Sequence, residues 1–165
     1  MNSLWEEIVD CLRAEVTEYG ALLHLFEEQQ KLLFKRDAAG VVMTSSALEG
    51  QVSVVQECRL RREAKVAEFA TYHNEPSSAT MRALLPLIAR EAQPLVSALI
   101  ADINRLISKV RRVSRQNHLF LSRTIENQVE LIRHFRPEGI TRTYSPTGRA
   151  SYTSVREQTA LIAEG

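Results

Sequence analysis

The sequence predicts an all-α fold, an elongated antiparallel helical bundle or coiled-coil hairpin with a long C-terminal helix and a mobile polar tail. Residues 95–135 contain neither glycine nor proline and carry apolar side chains at helical spacing. Only six glycines and five prolines occur in 165 residues, which is few for the many turns of a sandwich, a barrel or an α/β sheet. No proline occurs between Leu4 and Ala70, a stretch long enough for two long helices.

The longest predicted helix, residues 94–135, carries a heptad seam in its first half. Spacings that alternate between four and three residues are typical of coiled-coil packing, and here they connect Leu99, Ile103, Leu106, Val110, Val113 and Asn117. At the rise of an α-helix, the whole predicted helix of residues 94–135 would be about 60 Å long. An asparagine at a core position commonly fixes register at a cost in stability, so we interpret Asn117 as a structural residue.

Three predicted helices precede the long one and complete a bundle over residues 1–136. The first covers residues 3–36, and Asp37 is placed to cap the second, residues 38–72. Polar residues 73–78 separate it from a short third helix, residues 80–90, in which Pro86 either introduces a kink or marks a new helical start. Residues 137–165 form the polar tail, with a possible short helix at 154–163.

Two arginines interrupt the apolar stripe of the second helix. Arg59 and Arg62 occupy its heptad positions. Either the helix rotates to bury Cys58 and Leu60 instead, or the arginine stems lie along the edge of the bundle with their charged ends in water.

The charge distribution favours contacts within the chain over a nucleic-acid partner. The net charge is only +1, but the first thirty residues hold seven acids against one base, while residues 97–136 hold eight bases against three acids. The simplest interpretation is that these are complementary faces of two adjacent helices. The cluster around Arg105, Lys109 and Arg112 has no interleaved aromatic residues and no excess charge around it, so it does not indicate nucleic-acid binding.

No residue pattern for catalysis, metal binding or a cofactor is present in the sequence. The four histidines are never three or four residues apart, and Cys11 and Cys58 fall in different helices without metal-ligand spacing. There is no phosphate-binding glycine loop and no nucleophile elbow. No apolar run reaches transmembrane length, and the start of the chain lacks the features of a signal peptide. We therefore expect a reduced cytoplasmic protein that is not an enzyme, with no cofactor, no metal and no membrane insertion.

Beyond Asn117, the apolar face of the predicted long helix becomes broader. Residues 119–135 place apolar side chains on more than one side of the helix, more than one seam needs. Two interpretations stay open for each residue: packing inside the bundle, or contact with a second protein.

Two segments of the final third resemble the FlgN family of bacterial flagellar export chaperones. The first is an asparagine followed by an aliphatic helical run, from Asn117 to Gln128. The second is a Tyr-x-x-x-Gly element in the polar tail, matched by Tyr144 and Gly148. The first half of the chain agrees more loosely, and residues beyond Ala150 lie past the part that matches.

This resemblance implies a protein-binding function without covalent chemistry. FlgN-like proteins bind the hook-associated proteins of the hook–filament junction, prevent their premature assembly and deliver them to the flagellar type III export gate. A long helix with surplus apolar surface could mask an amphipathic client helix. On this basis we predict client contacts at Leu119, Leu121, Ile125, Val129 and Ile132. The resemblance assigns Tyr144 and Gly148 to docking at the gate.

Two alternatives remain open at this stage. One is a structural coiled coil that self-associates through the seam from Leu99 to Val113. The other is an adaptor or chaperone of a different secretion system with a similar helical hairpin.

Overall fold

The computed structural model describes residues 4–135, 140–144 and 150–154. Its four α-helices are α1 (Leu4–Lys35), α2 (Ala38–Tyr72), α3 (Met81–Leu84) and α4 (Gln93–Phe135), and two strands follow, β1 (Ile140–Tyr144) and β2 (Ala150–Ser154). The fold is an all-α bundle of long helices, as the sequence predicts.

A tight reversal at residues 36–37 joins α1 to α2. Arg36 adopts a left-handed conformation with φ of 58°, which ends α1, and the amide of Asp37 bonds back to the carbonyl of Leu32 at 3.0 Å. The Asp37 carboxylate then accepts a 2.9 Å hydrogen bond from the amide of Gly40 and caps α2. A Cβ atom on Gly40 would lie only 2.7 Å from that carboxylate and 2.9 Å from the Leu32 side chain, so a larger residue there would displace one or both of these side chains.

The predicted third helix, residues 80–90, is shorter in the structure. Thr80 caps α3, which ends at Leu84, and a 3₁₀ turn (Leu85–Leu87) follows. Pro86 is the reason, because proline has no N–H to continue the hydrogen-bond ladder of an α-helix but fits the first turn of a new helical segment.

The main core lies where α1, the end of α2, the α3 region and the first part of α4 meet. It is built from aliphatic and small side chains that include Ile8, Leu12, Phe69, Leu84, Val96 and Ile103. A smaller cluster of Leu22, Leu48 and Val55 lies nearer the α1–α2 turn, with Val110 of α4 packed against it. The heptad seam of α4 therefore packs against other helices of the same chain. Burial of these side chains is the main source of bundle stability.

In one ion pair between α1 and α2, the acidic partner is buried. The carboxylate of Glu15, whose side chain is only 1% exposed, accepts a 2.5 Å hydrogen bond from Nε of Arg62. Leu60 is 57% exposed. The arginine therefore reaches inward from its heptad position, and rotation of α2 to bury Leu60 does not occur.

Two acids of α1, Glu7 and Glu15, pair with bases of α2. Lys65 bonds to Glu7 at 2.7 Å, beside the Glu15–Arg62 pair, whereas Arg105 of α4 pairs with Asp102 of its own helix. For these residues the expectation that acidic α1 faces basic α4 is wrong. Because the short turn places α2 directly alongside α1, the long basic side chains of α2 lie closest to Glu7 and Glu15.

The described part of the predicted tail contains strands. β1 and β2 pair antiparallel, with Ile140 opposite Ser154 and Tyr144 opposite Ala150. β-branched and aromatic residues occupy four of the five positions in β1 and two of the five in β2, which favours extended backbone. Ser154, the expected start of a short helix, lies in β2, and residues 155–163 of that helix lie outside the described residues.

The chain divides into two compact units, Met1–Phe120 and Leu121–Gly165. The first unit contains α1, α2, α3 and both core clusters. The second contains the last part of α4 and the β1–β2 hairpin.

Candidate functional site

The exposure of α4 changes after Asn117. Asn117 is 2% exposed, but within the described stretch 118–134 no side chain is buried. Among the five residues predicted to contact a client, Leu119, Ile125 and Ile132 are each about half exposed, and Leu121 and Val129 are half-buried. Apolar side chains left in this state are available for contact with another protein.

Four of these five residues share one face of α4. At about 100° per residue, Leu121, Val129 and Ile132 fall within about 40° of Ile125 around the helix. Leu119 is six residues before Ile125 and therefore lies about 120° away. We call Leu121, Ile125, Val129 and Ile132 the aliphatic stripe, and Leu119 lies beside it rather than on it.

A polar layer through three helices lies just before the stripe. The Asn117 side-chain amide donates to the carbonyl of Phe26 at 2.9 Å and to Oε1 of Gln29 at 3.1 Å. Gln29, itself buried, donates in turn to Ser45 of α2 at 3.1 Å. This network connects α4, α1 and α2, so the seam asparagine has the structural role that its position predicted.

Sequence reasoning missed Gln29. The neighbouring Gln30 is half-buried, and its side-chain amide donates to the side-chain oxygen of Gln116 at 3.3 Å. The signal that could have found Gln29 is its spacing of three residues from Phe26, which places both on the face of α1 that meets Asn117.

The Oδ1 atom of Asn117 is buried and has no hydrogen-bond partner among the described residues. Asn117 is one of six residues that line a surface notch of about 370 Å³, with Gln30, Leu33, Phe34, Gln116 and Phe120. Phe34 is 68% exposed and packs edge to face on Phe120, with ring centroids 5.5 Å apart. The notch thus has two aromatic residues in its lining, and the sequence did not single out either phenylalanine for this role.

The chain matches a family model described as FlgN protein over residues 1–151. It belongs to the FlgN family. FlgN proteins are flagellar export chaperones, which agrees with a bundle that keeps apolar side chains at its surface. No curated protein and no solved structure was found to match the chain.

The family match includes both positions predicted for gate docking. Tyr144 is the last residue of β1 and lies opposite Ala150 in the pairing register. Gly148 lies outside the described residues. The match to FlgN ends at residue 151, so the last three residues of β2 and all later residues lie outside the match.

Within residues 4–135 and the two strands, no group of three or more His, Cys, Asp or Glu side chains is placed to hold a metal ion. None of the described helices is both long enough and apolar enough to cross a membrane.

Proposed function

We propose that this chain is a cytoplasmic FlgN chaperone that binds hook-associated junction proteins, keeps them unassembled and delivers them to the flagellar export gate. The observation that carries the proposal is the exposure of the aliphatic stripe, in which Ile125 is 47% and Ile132 49% exposed. The chain that exposes this stripe belongs to the FlgN family. Nothing in this function requires a covalent step, a metal or a cofactor.

The stripe suits an amphipathic client helix. Side chains at positions 121, 125, 129 and 132 follow the spacing by which one helix packs into the groove of another. Masking the terminal helices of a junction protein would prevent their premature assembly. A few aliphatic anchors would supply most of the affinity, because binding energy concentrates in a small number of desolvated contacts.

The packing of the seam supports this function over a self-associating coiled coil. Ile103 and Val113 are buried, and Leu99 packs against the main core of the same chain. A second copy could use the seam only by displacing these contacts. The aliphatic stripe, by contrast, is open without any rearrangement of the core.

The experiment is co-purification of the full chain with the junction proteins of its own organism. We expect Ile125→Asp and Val129→Asp each to weaken binding by about tenfold or more, because a carboxylate would have to be desolvated against the client. Leu131→Asp is the matched control, since Leu131 is 59% exposed on the same segment of α4 but lies about 120° away from Ile125 around the helix.

Circular dichroism of each variant separates loss of binding from loss of fold. Failure of the folded wild-type chain to bind any junction protein would overturn the proposal. Equal loss of binding in all three variants would remove the stripe as the binding surface.

We also propose that the region around Tyr144 and Gly148 docks to the export gate. The support is family membership, because residues 1–151 match FlgN and include both positions. Docking through a surface separate from the stripe would let one chaperone carry a client and contact the gate at the same time.

A further inference from the structure

A groove runs along α1 within the first compact unit of the chain. It consists of two hollows, one of about 220 Å³ lined by residues of α1, α2, α3 and α4, and one of about 520 Å³ lined by residues of α1 and α2. Tyr19 and Arg59 line both hollows, so the two meet at these side chains. We call the two hollows together the interhelical groove.

Much of the lining of the interhelical groove is apolar and open to water. On α2, Val52 is 46% exposed and Leu60 is more exposed still. Tyr19 of α1 and the α4 residues Ile100 and Ile107 are half-buried. Covering these side chains with another apolar surface would remove them from water, which favours an apolar occupant.

The length of the groove suits a short α-helix. Its lining on α1 extends over residues 12–22 and its lining on α2 over residues 52–63. Each stretch is about 15 Å long at the rise of an α-helix, which is about three turns. Because α1, α2 and α4 already supply three long helices, a helix lying along α1 would complete a four-helix arrangement there.

The part of α4 beside the groove is basic and lacks acidic partners within the described chain. Residues 103–120 contain no acid, and they contain five bases, which are Arg105, Lys109, Arg111, Arg112 and Arg115. Arg105 pairs with Asp102. Among the described residues, the other four bases form no ion pair. Their positive charge is therefore available to an acidic partner from outside the chain.

Arg111 lies on the face of α4 that lines the groove. It follows Ile100, Asn104 and Ile107 at spacings of four, three and four residues, and these three residues line the smaller hollow. Tyr19, at the meeting point of the hollows, responds to the same charge. Burial and the carboxylate of Glu15 raise the pKa of the Tyr19 phenol. The positive charges of Arg111 and of two arginines of α2 act against that rise.

We propose that the interhelical groove binds an amphipathic helix of another protein, about three turns long, whose apolar face is flanked by acidic side chains. Its aliphatic residues would cover Val52, Leu60 and Ile107, and its carboxylates would pair with Arg111 and the neighbouring bases of α4. A second copy of this chain is a poorer occupant, because its acidic helix α1 is already packed in its own core. The groove shares no residue with the aliphatic stripe, so it is a separate binding surface.

The test measures binding of a fluorescent synthetic peptide to the full-length chain by fluorescence anisotropy. The peptide is a helix of about 14 residues, with leucines at spacings of three and four and glutamates beside them. The control peptide carries lysine in place of each glutamate. We expect the glutamate peptide to bind at least about tenfold more tightly than the lysine peptide. We also expect its affinity to fall as salt is raised.

Two pairs of variants locate the site. Leu60→Asp should weaken binding of the glutamate peptide by about tenfold, because a carboxylate would be buried against its apolar face. Val54→Asp is the matched control, since Val54 is 40% exposed on the same helix but lies about 120° away from Leu60. Arg111→Glu should reduce the preference for the glutamate peptide by about tenfold. Arg112→Glu, about 100° further around α4, should reduce it less.

Four results would overturn the proposal. One is a folded wild-type chain that does not bind the glutamate peptide, and another is equal affinity for the two peptides. The third is a Leu60→Asp variant that is folded by circular dichroism and binds as the wild type does. The fourth is a dimer in sedimentation that Leu60→Asp dissociates, which would make a second copy the occupant.

The variant Ile125→Asp separates this proposal from the chaperone function. It changes the aliphatic stripe and should leave binding of the glutamate peptide unchanged. Loss of peptide binding in Ile125→Asp, with normal binding in Leu60→Asp, would place the peptide on the stripe and contradict the groove. Failure of the junction proteins to bind would count against the chaperone proposal and would not affect the peptide result.

Discussion

The side-chain amide of Asn117 on α4 donates a 2.9 Å hydrogen bond to the backbone carbonyl of Phe26 on α1. Because the acceptor is a backbone atom inside a helix, it has a fixed position along α1, and only one alignment of α4 brings the amide to it. The second bond, to Gln29 at 3.1 Å, reinforces that alignment. These two hydrogen bonds therefore fix the register of α4 against α1 at Asn117.

Replacing Asn117 with aspartate should destabilise the bundle. The change removes an N–H donor and places a carboxylate against the carbonyl of Phe26, at a site only 2% exposed. We expect a loss of about 1–3 kcal/mol in the free energy of unfolding, measured by urea denaturation. Gln116→Glu, at the exposed neighbouring position, is the control and should change stability little. Equal effects of the two substitutions would show that the Asn117 hydrogen bonds do not contribute.

Breaking the Glu15–Arg62 pair from one side should cost more than replacing both partners. Glu15 is 1% exposed, so Arg62→Met leaves a buried carboxylate without its cation, at an expected cost of about 3–5 kcal/mol. The double variant Glu15→Met/Arg62→Met should recover much of that loss, because it leaves no charge to desolvate. Urea denaturation of both single variants and the double variant completes the cycle.

The exposed pair Arg59–Glu63, with side chains 60% and 45% exposed, is the matched control for that cycle. Arg59→Met should change stability little, since exposed ion pairs contribute little in water. A double variant at positions 15 and 62 that is no more stable than the Arg62 variant would contradict this account.

Alanine should have opposite effects at Gly40 and at Gly20. At Gly40 the new Cβ would lie 2.7 Å from the Asp37 carboxylate that caps α2, so we expect a loss of about 1–3 kcal/mol. At Gly20, inside α1, no atom lies within 4 Å of the added Cβ, and alanine should add up to about 1 kcal/mol through better helix propensity. Thermal denaturation of the two variants provides the measurement, and a stabilising Gly40→Ala would show that the turn can rearrange.

Tyr144→Ala should weaken binding to the export gate and leave client binding unchanged. The prediction rests on the proposed division between a docking region around Tyr144 and the aliphatic stripe on α4. A binding assay with the purified gate component and a separate assay with the junction protein measure the two properties. Tyr152→Ala is the control, because Tyr152 lies in β2 and beyond the part that matches the family. Loss of client binding with intact gate binding would contradict the proposed division.

The long helices could be predicted from the sequence because their signals are local. Absence of proline, apolar spacing and the Asp37 cap all act within a few residues, and each contributes to helix formation before any tertiary contact exists. The segment around Pro86 shows the limit of such reasoning. Local rules gave two outcomes there, a kink or a new start, and the structure has a 3₁₀ turn.

The candidate site was less predictable because exposure depends on which helix faces are covered. The periodicity of residues 119–132 is the same for a core stripe and for a binding stripe, and packing leaves Leu119, Ile125 and Ile132 half exposed. Gln29 was missed for a related reason. A polar residue on an apolar face is stabilised only by a partner from another helix, here Asn117 at 3.1 Å.

The sequence by itself determined the all-α class, the long helices, the seam on α4 and the Asn117-to-Gly148 pattern that points to the FlgN family. These features are encoded in spacing and composition, which do not depend on how helices pack. Only the tertiary structure decided that the acids Glu7 and Glu15 pair with α2, that Gln29 joins the Asn117 layer, and that side-chain burial on α4 ends at Asn117. Each depends on contacts between residues far apart in the chain, and their energies are set by distance and burial.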